Sequence, residues 1–217
     1  MRSNALRLLT AVLVVACVCA GVSSAQTVKA PKQKKALPAA TQQAAPQQPS
    51  AATDSMMAQM TRIGTPGPQH QALQAMEGTW KASAKTYGPT GEASVSEGTS
   101  ENHMILGGRY LEQRFTSTMM NQPFTGYGLT GYDNAAQKYV FVWVDNSSTS
   151  ILSGTGTMDD ASRTLTLTGT TPGPDGKPMD VRMVTKIVDA NTHTFSMYGP
   201  IGSNPDALVM EITYTKQ

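Results

Sequence analysis

Apolar and polar residues alternate along most of the chain after Trp80. In the stretch TWKASAKTY, residues 79–87, tryptophan and two alanines occupy every second position, with polar residues between them. A period of two predicts a β-strand with one buried face. Comparable runs follow at about 94–106, 109–118, 123–132, 138–145, 149–157, 164–170, 179–188, 192–198 and 208–215.

Short turn sequences separate these runs, among them LGG, DNAAQ, MDDAS and PGPDGKP. Strands joined by tight connections, with no helical pattern between them, predict an all-β fold built as an antiparallel meander. A single open sheet would leave two edges exposed to other chains. We therefore predict that the meander closes into a barrel of about 8–10 strands.

One helical pattern precedes the strands, in the stretch TPGPQHQALQAMEG. Pro66 and Pro68 suit the start of a helix, and Gly78 suits its end. Leu73 and Met76 lie on one face of such a helix. The sequence therefore predicts a short apolar-faced helix just before the first strand.

Residues 1–25 have the pattern of a secretory signal peptide: a basic start, a short apolar run and small residues before a cleavage site near Ala25. The apolar run is shorter than the ~20 residues of a membrane-spanning helix. We therefore predict a periplasmic or secreted protein. The stretch VVAC supports an alternative, a lipoprotein anchored through Cys17. Cys17 and Cys19 are the only cysteines, so a chain cleaved near Ala25 has no disulfide.

Residues 26–62 are rich in Ala, Gln, Pro and Lys, which predicts a disordered tether. Its lysines could contact the cell-envelope surface. The barrel domain then covers residues 63–217, where 10 Lys and Arg stand against 14 Asp and Glu, a net charge of −4. A domain with this charge has no basic face for nucleic acid.

Gly126, Gly128 and Gly131 match the spacing G-x-G-x-x-G of dinucleotide-binding loops. In such loops the third glycine opens a helix, whereas here a turn and the strand-like run YVFVWV follow. We therefore predict a structural role, in which the missing side chains permit a bend or the close approach of bulky neighbours.

The run from Tyr139 to Asp145 is apolar on both faces, with Tyr139, Phe141 and Trp143 on one and three valines on the other. An antiparallel strand with one face in water is normally polar on that face. We therefore predict that the outer face is covered by the N-terminal helix, by a neighbouring chain as in a homodimer, or by a bound partner.

The opening LQAMEGTW resembles the start of calycin barrels, the lipocalin-like proteins in which a short helix plugs one end. The further series LGGRYLEQRF, PFTGYGLTGYD, YVFVWVD, TLTLTG, HTFSMY and MEITYTK resembles a bacterial family known as domain of unknown function 1579. The resemblance runs from about His70 to Lys216. It implies a calycin-like barrel plugged by the helix and, as in other calycins, a cation–π contact between Lys216 and Trp80.

The family resemblance implies no activity, so candidate site residues come from residue type and position. If the barrel holds a ligand, its aromatic wall candidates are Phe115, Tyr127, Phe141 and Trp143, and its polar candidates are His103, Glu112 and Arg114. Glu112 and Arg114 share one strand face. They form a buried pair if that face points inward and an exposed ion pair if it points outward.

Three histidines lie in the predicted barrel domain. His70 is predicted at the surface, whereas His103 and His193 lie on or beside strands. Nitrobindin-like proteins of the calycin group bind haem through one histidine, which makes haem a cofactor to test for. We assign no cofactor, no metal ligand and no catalytic residue, because no zinc-site or G-x-S-x-G spacing occurs.

Three functions are compatible with these patterns. The first is the binding of a small, largely apolar molecule in a barrel cavity. The second is an enzyme, a hydrolase or isomerase, that uses the same cavity, and the third is an envelope interaction module with a packed barrel. An open cavity favours the first two, and a filled interior favours the third.

Overall fold

The structure, a computed structural model, describes residues 51–119, 121–173 and 175–217. The predicted signal peptide, Cys17 and the tether up to residue 50 lie outside these residues. No helix in the described part of the chain is long and apolar enough to cross a membrane.

Ten antiparallel strands form a closed barrel in which each strand pairs with its neighbours in sequence and β1 pairs with β10. The prediction of an antiparallel barrel is confirmed. The strands are β1 Gly78–Tyr87, β2 Ala93–Ile105, β3 Tyr110–Met119, β4 Gln122–Asp133, β5 Lys138–Asp145, β6 Leu152–Asp159, β7 Thr164–Pro172, β8 Pro178–Ile187, β9 Thr192–Ile201 and β10 Asn204–Lys216.

A short helix closes one end of the barrel, which we call the plugged end. Helix α2, Pro68–Leu73, continues into a 3₁₀ turn, Gln74–Met76, as the sequence predicts. Leu73 is fully buried in the core cluster that fills this end. The hydroxyl of Tyr139 donates a hydrogen bond to the carbonyl of Gln69, 3.1 Å away, and so ties the helix to β5. The opposite end, where β3 and β5 finish, is the mouth.

His70 in helix α2 is buried, so its predicted surface position is wrong. Its Nδ1 accepts a hydrogen bond from the backbone N–H of Gly67 at 3.0 Å, and its ring meets the ring of Tyr132 edge-on. The imidazole therefore satisfies a donor at the helix start and packs against the barrel.

A second helix, α1 Ala51–Gly64, occupies residues that the sequence assigned to the end of the disordered tether. Alanines and methionines favour helix, with Asp54 in the first turn and Arg62 in the last. The Nδ2 of Asn134, in the turn after β4, donates to the carbonyl of Thr65 at 2.8 Å, and the guanidinium of Arg109 donates to the carbonyl of Gly64 at 2.6 Å. Both contacts fix the end of α1 at the plugged end.

The three glycines of the dinucleotide-like motif lie within β4, not in a loop. A Cβ added at Gly126 would overlap the indole of Trp143, and one at Gly128 would come within 3.1 Å of it. A Cβ at Gly131 would come within 2.5 Å of the ring of Tyr110. The glycines therefore permit close approach of aromatic rings, one of the two structural roles that the sequence predicts.

The two apolar faces of β5 point in opposite directions. Tyr139 and Phe141 are buried inside the barrel, whereas Val142 and Val144 on the outer face are 40% exposed. The outer face is thus the valine face, and the described residues leave it open to solvent. The predicted covering of this face by the N-terminal helix is wrong, because α2 lies at the plugged end and Val142 and Val144 stay exposed. Covering by a neighbouring chain or a bound partner stays a prediction.

Candidate functional site

The barrel encloses a cavity of about 380 Å³ that runs from the plugged end to the mouth. All ten strands contribute to its lining, and Met76 of the 3₁₀ turn lines it at the plugged end. Most of the wall is apolar. Representative wall residues are Leu111, Phe124, Leu167, Met183, Phe195 and Ile212.

Three of the four predicted aromatic wall residues line the cavity. Phe115 and Phe141 are buried, and Trp143 is half-buried nearer the mouth. The indole of Trp143 lies against Gly126 and Gly128, and its Nε1 donates a hydrogen bond to Asp145 Oδ2 at 2.9 Å. The fourth residue, Tyr127, is 48% exposed on the outer face of β4 and does not line the cavity.

The three predicted polar residues also lie outside the barrel, which corrects their assignment to the cavity. Glu112 and Arg114 form an ion pair at 3.3 Å on the outer face of β3, with the Arg114 side chain 55% exposed. His103 is exposed on β2, directly opposite Glu112 in the strand register. Leu111 and Phe115 occupy the inward positions of β3, so the charged residues between them must face water.

A group of five uncharged polar side chains lies inside the barrel near the plugged end. We call it the polar floor, and it consists of Ser100, Asn102, Gln113, His193 and Tyr214. Of these, all but Ser100 line the cavity directly. Of these five residues, the sequence pattern singles out His193 alone, as one of three histidines. The available signal for the others was strand parity: Gln113 and Tyr214 each lie two positions from a buried apolar residue on their strands, whereas on β2 the guide is only the partly buried Met104.

Hydrogen bonds connect three members of the polar floor to the plug. Gln113 Nε2 donates to Ser100 Oγ at 2.9 Å, and Ser100 Oγ donates to Asn102 Oδ1 at 2.8 Å. Asn102 Nδ2 then donates to the carbonyl of Met76 at 2.8 Å, which also accepts from Trp80 Nε1 at 3.0 Å. The network therefore joins β1, β2 and β3 to the 3₁₀ turn.

His193 lies between two aromatic side chains at the plugged end. Its ring stacks on Tyr214 with centroids 4.4 Å apart and meets Trp80 edge-on at 4.3 Å. The residue is 3% exposed, and its Nδ1 is buried without a hydrogen-bond partner. Burial lowers the pKa of His193 to about 4, so the imidazole is neutral at physiological pH. Burial also raises the pKa of Tyr214 above its ordinary range.

Charge in the cavity is confined to its mouth. Among the described lining residues, Asp145 is the one charged side chain. Its carboxylate accepts from Trp143 Nε1 and, at 2.9 Å, from the backbone N–H of Ser147. A ligand deep in the cavity therefore meets apolar and uncharged polar groups, and no cation.

The described residues contain no group of three or more His, Cys, Asp or Glu side chains that could hold a metal ion. Of the two histidines considered for haem, His103 is outside the barrel and cannot reach a group in the cavity. His193 lies in the lining, but aromatic rings pack against it and its Nδ1 is buried. An iron atom would need that side chain to move before Nδ1 could bind it.

The predicted contact between Lys216 and Trp80 is confirmed. Lys216 is the register partner of Trp80 across the β1–β10 pair that closes the barrel, and its Nζ lies 5.3 Å from the centre of the indole ring. The ammonium covers the outer side of the tryptophan, while the inner side packs on His193. The contact is structural and does not reach the cavity.

The fold is similar to a solved structure. The crystal structure of Rv2717c from M. tuberculosis has a TM-score of 0.55 with this chain at 16% sequence identity, and the similarity covers 70% of this chain and 99% of that chain. At this identity the similarity concerns the fold alone. No curated protein is similar enough in sequence to this chain to count as a match. A family model matches residues 65–216, and the chain therefore belongs to the family described as Protein of unknown function (DUF1579).

Proposed function

We propose that the barrel binds a small, largely apolar molecule in its interior. The observation that carries this proposal is the cavity of about 380 Å³ with an apolar and aromatic wall. Ligand pockets in proteins typically have volumes of about 300–1,000 Å³, apolar walls and a few placed polar groups. A barrel that served only as a rigid scaffold would gain stability by filling this space with side chains.

The proposed location is outside the cytoplasm. It rests on the sequence of residues 1–25, which suits export and cleavage near Ala25, with lipidation at Cys17 as the alternative. A barrel in the periplasm or outside the cell would carry or sequester a molecule that is poorly soluble in water. Its mouth gives that molecule access without opening the sheet.

A second candidate function, an interaction module, is favoured by the outer surface of β4 and β5. Tyr127 and Val144 are register partners there, as are Leu129 and Val142, and all four are between 37% and 48% exposed. A contiguous exposed apolar patch of this kind is typical of protein interaction sites. This function does not need the cavity, so the two candidates can be separated by experiment.

The test uses N-phenyl-1-naphthylamine, an uncharged apolar probe whose fluorescence rises when it leaves water. The variant Thr185→Phe adds an aromatic ring at a cavity-lining position on β8, and Thr213→Phe adds the same ring at an exposed outer position on β10. We expect the full chain, purified from its own host, to bind the probe. Thr185→Phe should weaken binding at least tenfold, and Thr213→Phe should leave it unchanged.

Equal probe binding by both variants would contradict the proposal and would favour the outer patch as the binding surface. The cavity-lining variant Ala84→Leu provides a second test if Thr185→Phe does not fold. Native mass spectrometry with a visible absorption spectrum completes the experiment. A discrete added mass supports the cavity proposal, a haem absorption band assigns a different ligand, and a ligand-free dimer supports the interaction module.

A further inference from the structure

We propose that the molecule bound in the cavity carries an uncharged hydrogen-bonding group, a hydroxyl or carbonyl, which is held against His193 at the polar floor. This inference rests on the proposed function and deepens it, because it assigns the chemical class of the ligand and the residue that recognises it. Long-chain alcohols and ketones belong to this class. Free fatty acids do not.

His193 has a buried ring nitrogen without a hydrogen-bond partner. Buried polar atoms in folded proteins almost always have a hydrogen-bond partner, and leaving one unpaired costs about 1–3 kcal/mol. Nδ1 of His193 is buried and unpartnered, although the residue lines a cavity with room for a ligand. A polar ligand group that bonds to the imidazole would remove this cost, and His193 is a lining residue that such a group can reach from the cavity.

The other four members of the polar floor already have hydrogen-bond partners, and the partner of the Tyr214 hydroxyl is the Gln113 side chain. The amide of Gln113 and the hydroxyl of Ser100 donate within the network, and the amide of Asn102 donates to the carbonyl of Met76. These groups hold the plug in place. His193 is the floor residue that the network leaves available, and its neutral imidazole can either donate or accept a hydrogen bond.

The lining of the cavity disfavours a charged ligand group. A carboxylate brought into the cavity would lose its hydration, and the described lining offers no Lys or Arg to replace it. The one charged lining residue, Asp145, has the same sign as a fatty acid and lies at the mouth, where Trp143 and Ser147 already bind it. An ammonium at the floor would likewise lack a counter-ion, because the floor contains no carboxylate.

The experiment measures displacement of N-phenyl-1-naphthylamine by three ligands of equal chain length: octan-1-ol, octanoate and octylammonium. We expect octan-1-ol to displace the probe at concentrations at least tenfold lower than either charged ligand. In His193→Phe the affinity for octan-1-ol, taken as a ratio to the affinity of the same variant for the probe, should fall about three- to tenfold, the value of one hydrogen bond. His103→Phe makes the same change outside the barrel and should alter neither affinity.

The outcomes distinguish the two proposals. If the probe itself does not bind, the proposed function fails. If the probe binds but octanoate or octylammonium competes as well as octan-1-ol, or if His193→Phe binds octan-1-ol, relative to the probe, as tightly as the parent chain, the assignment of the polar group is overturned.

A second measurement does not depend on the folding of a variant. The imidazole ¹⁵N signals of the parent chain should shift for His193 on saturation with octan-1-ol and stay fixed for His103. An unchanged His193 signal at saturation would also overturn the assignment.

Discussion

The two ends of the barrel differ in construction although the same ten strands form both. At the plugged end Leu73, Trp80 and Ser100 are fully buried, and hydrogen bonds connect three strands to the 3₁₀ turn. At the mouth Met119 is 42% exposed, and the serines of the loop after β5 bond to near neighbours in the same loop, as in the pair Ser148–Ser150. The hydrogen bonds that join strands at the plugged end are buried, whereas those at the mouth, such as Asn146 to Pro123 and Tyr87 to Glu211, are exposed or only partly buried.

This difference indicates where stability and access are located. Long-range buried contacts resist local opening, whereas exposed segments with local hydrogen bonds open at low free-energy cost. A ligand can then pass the mouth without disturbing the core at the plugged end. Four predictions test this comparison, and in each of them a change at the plugged end should have a larger effect than a matched change elsewhere.

The largest difference is expected between the two tryptophans. Trp80→Ala removes a fully buried side chain and its hydrogen bond to Met76, and should lower the free energy of unfolding by about 3–5 kcal/mol. Trp143→Ala, at a half-buried position near the mouth, should cost less than half as much. Urea unfolding followed by circular dichroism measures both, and equal losses would contradict the comparison.

The next effect is a pH dependence that arises at His193. Its pKa is about 4 in the folded protein against 6.5 for an ordinary histidine, so between these values the unfolded chain binds a proton that the folded chain does not. The free energy of unfolding should therefore fall by up to ~3 kcal/mol as pH drops from about 6.5 to about 4, and the loss from this group should then level off. His193→Phe should flatten the curve in this window, and His103→Phe should not.

A smaller effect is expected from the hydrogen-bond network of the polar floor. Asn102→Ala leaves the hydroxyl of Ser100 and the carbonyl of Met76 each with one partner fewer, and should cost about 1–3 kcal/mol. Ser148→Ala at the mouth removes an exposed local hydrogen bond and should change stability by less than about 0.5 kcal/mol. Thermal unfolding of both variants and of the parent chain measures the two stability losses. Similar unfolding midpoints for Asn102→Ala and Ser148→Ala would contradict the prediction.

The smallest effect concerns the contact that covers Trp80 from outside. Lys216→Ala should lower stability by about 0.5–1 kcal/mol because it removes a cation–π interaction, while Lys216→Arg should retain most of it. Lys177→Ala breaks an exposed ion pair with Asp175 in the loop before β8 and should have almost no effect. Probe binding should be unchanged in all three variants, and a loss of binding in Lys216→Ala would place that lysine in the ligand site.

The positions of the strands could be predicted from the sequence because each run of alternating residues ends at a turn signal. The beginning of β6 was placed at residue 149, but the strand begins at Leu152, because the serines after Asp145 form a loop bonded to itself. The end of the tether was also placed wrongly. Propensity for helix in residues 51–64 is real, but the capping contacts from Asn134 and Arg109 that fix its end are distant in sequence.

The side of the barrel on which each residue lies was only partly predictable. On β3, alternation with Leu111 and Phe115 would have placed Glu112 and Arg114 outside, although the prediction left their face open. On β4, alternation with Gly126 and Gly128 would have placed Tyr127 outside, although it was predicted to line the cavity. The polar floor is a different case. Strand β2 is polar on both faces in the sequence, and its inward Ser100 and Asn102 are tolerated because Gln113 of β3 and the carbonyl of Met76 in the 3₁₀ turn satisfy them.

The even number of strands has a consequence for how this barrel can be joined to other molecules. In a closed antiparallel meander of ten strands, the chain enters through β1 and leaves through β10 at the same end, where Trp80 and Lys216 are register partners. The mouth would thus stay unobstructed if a domain were fused, or a surface linked, at this end. The same holds for a peptide that joins residue 217 back to the start of β1. The five hairpin turns at the opposite rim are then the places to cut a circularly permuted chain, and new ends there would flank the opening through which a ligand passes.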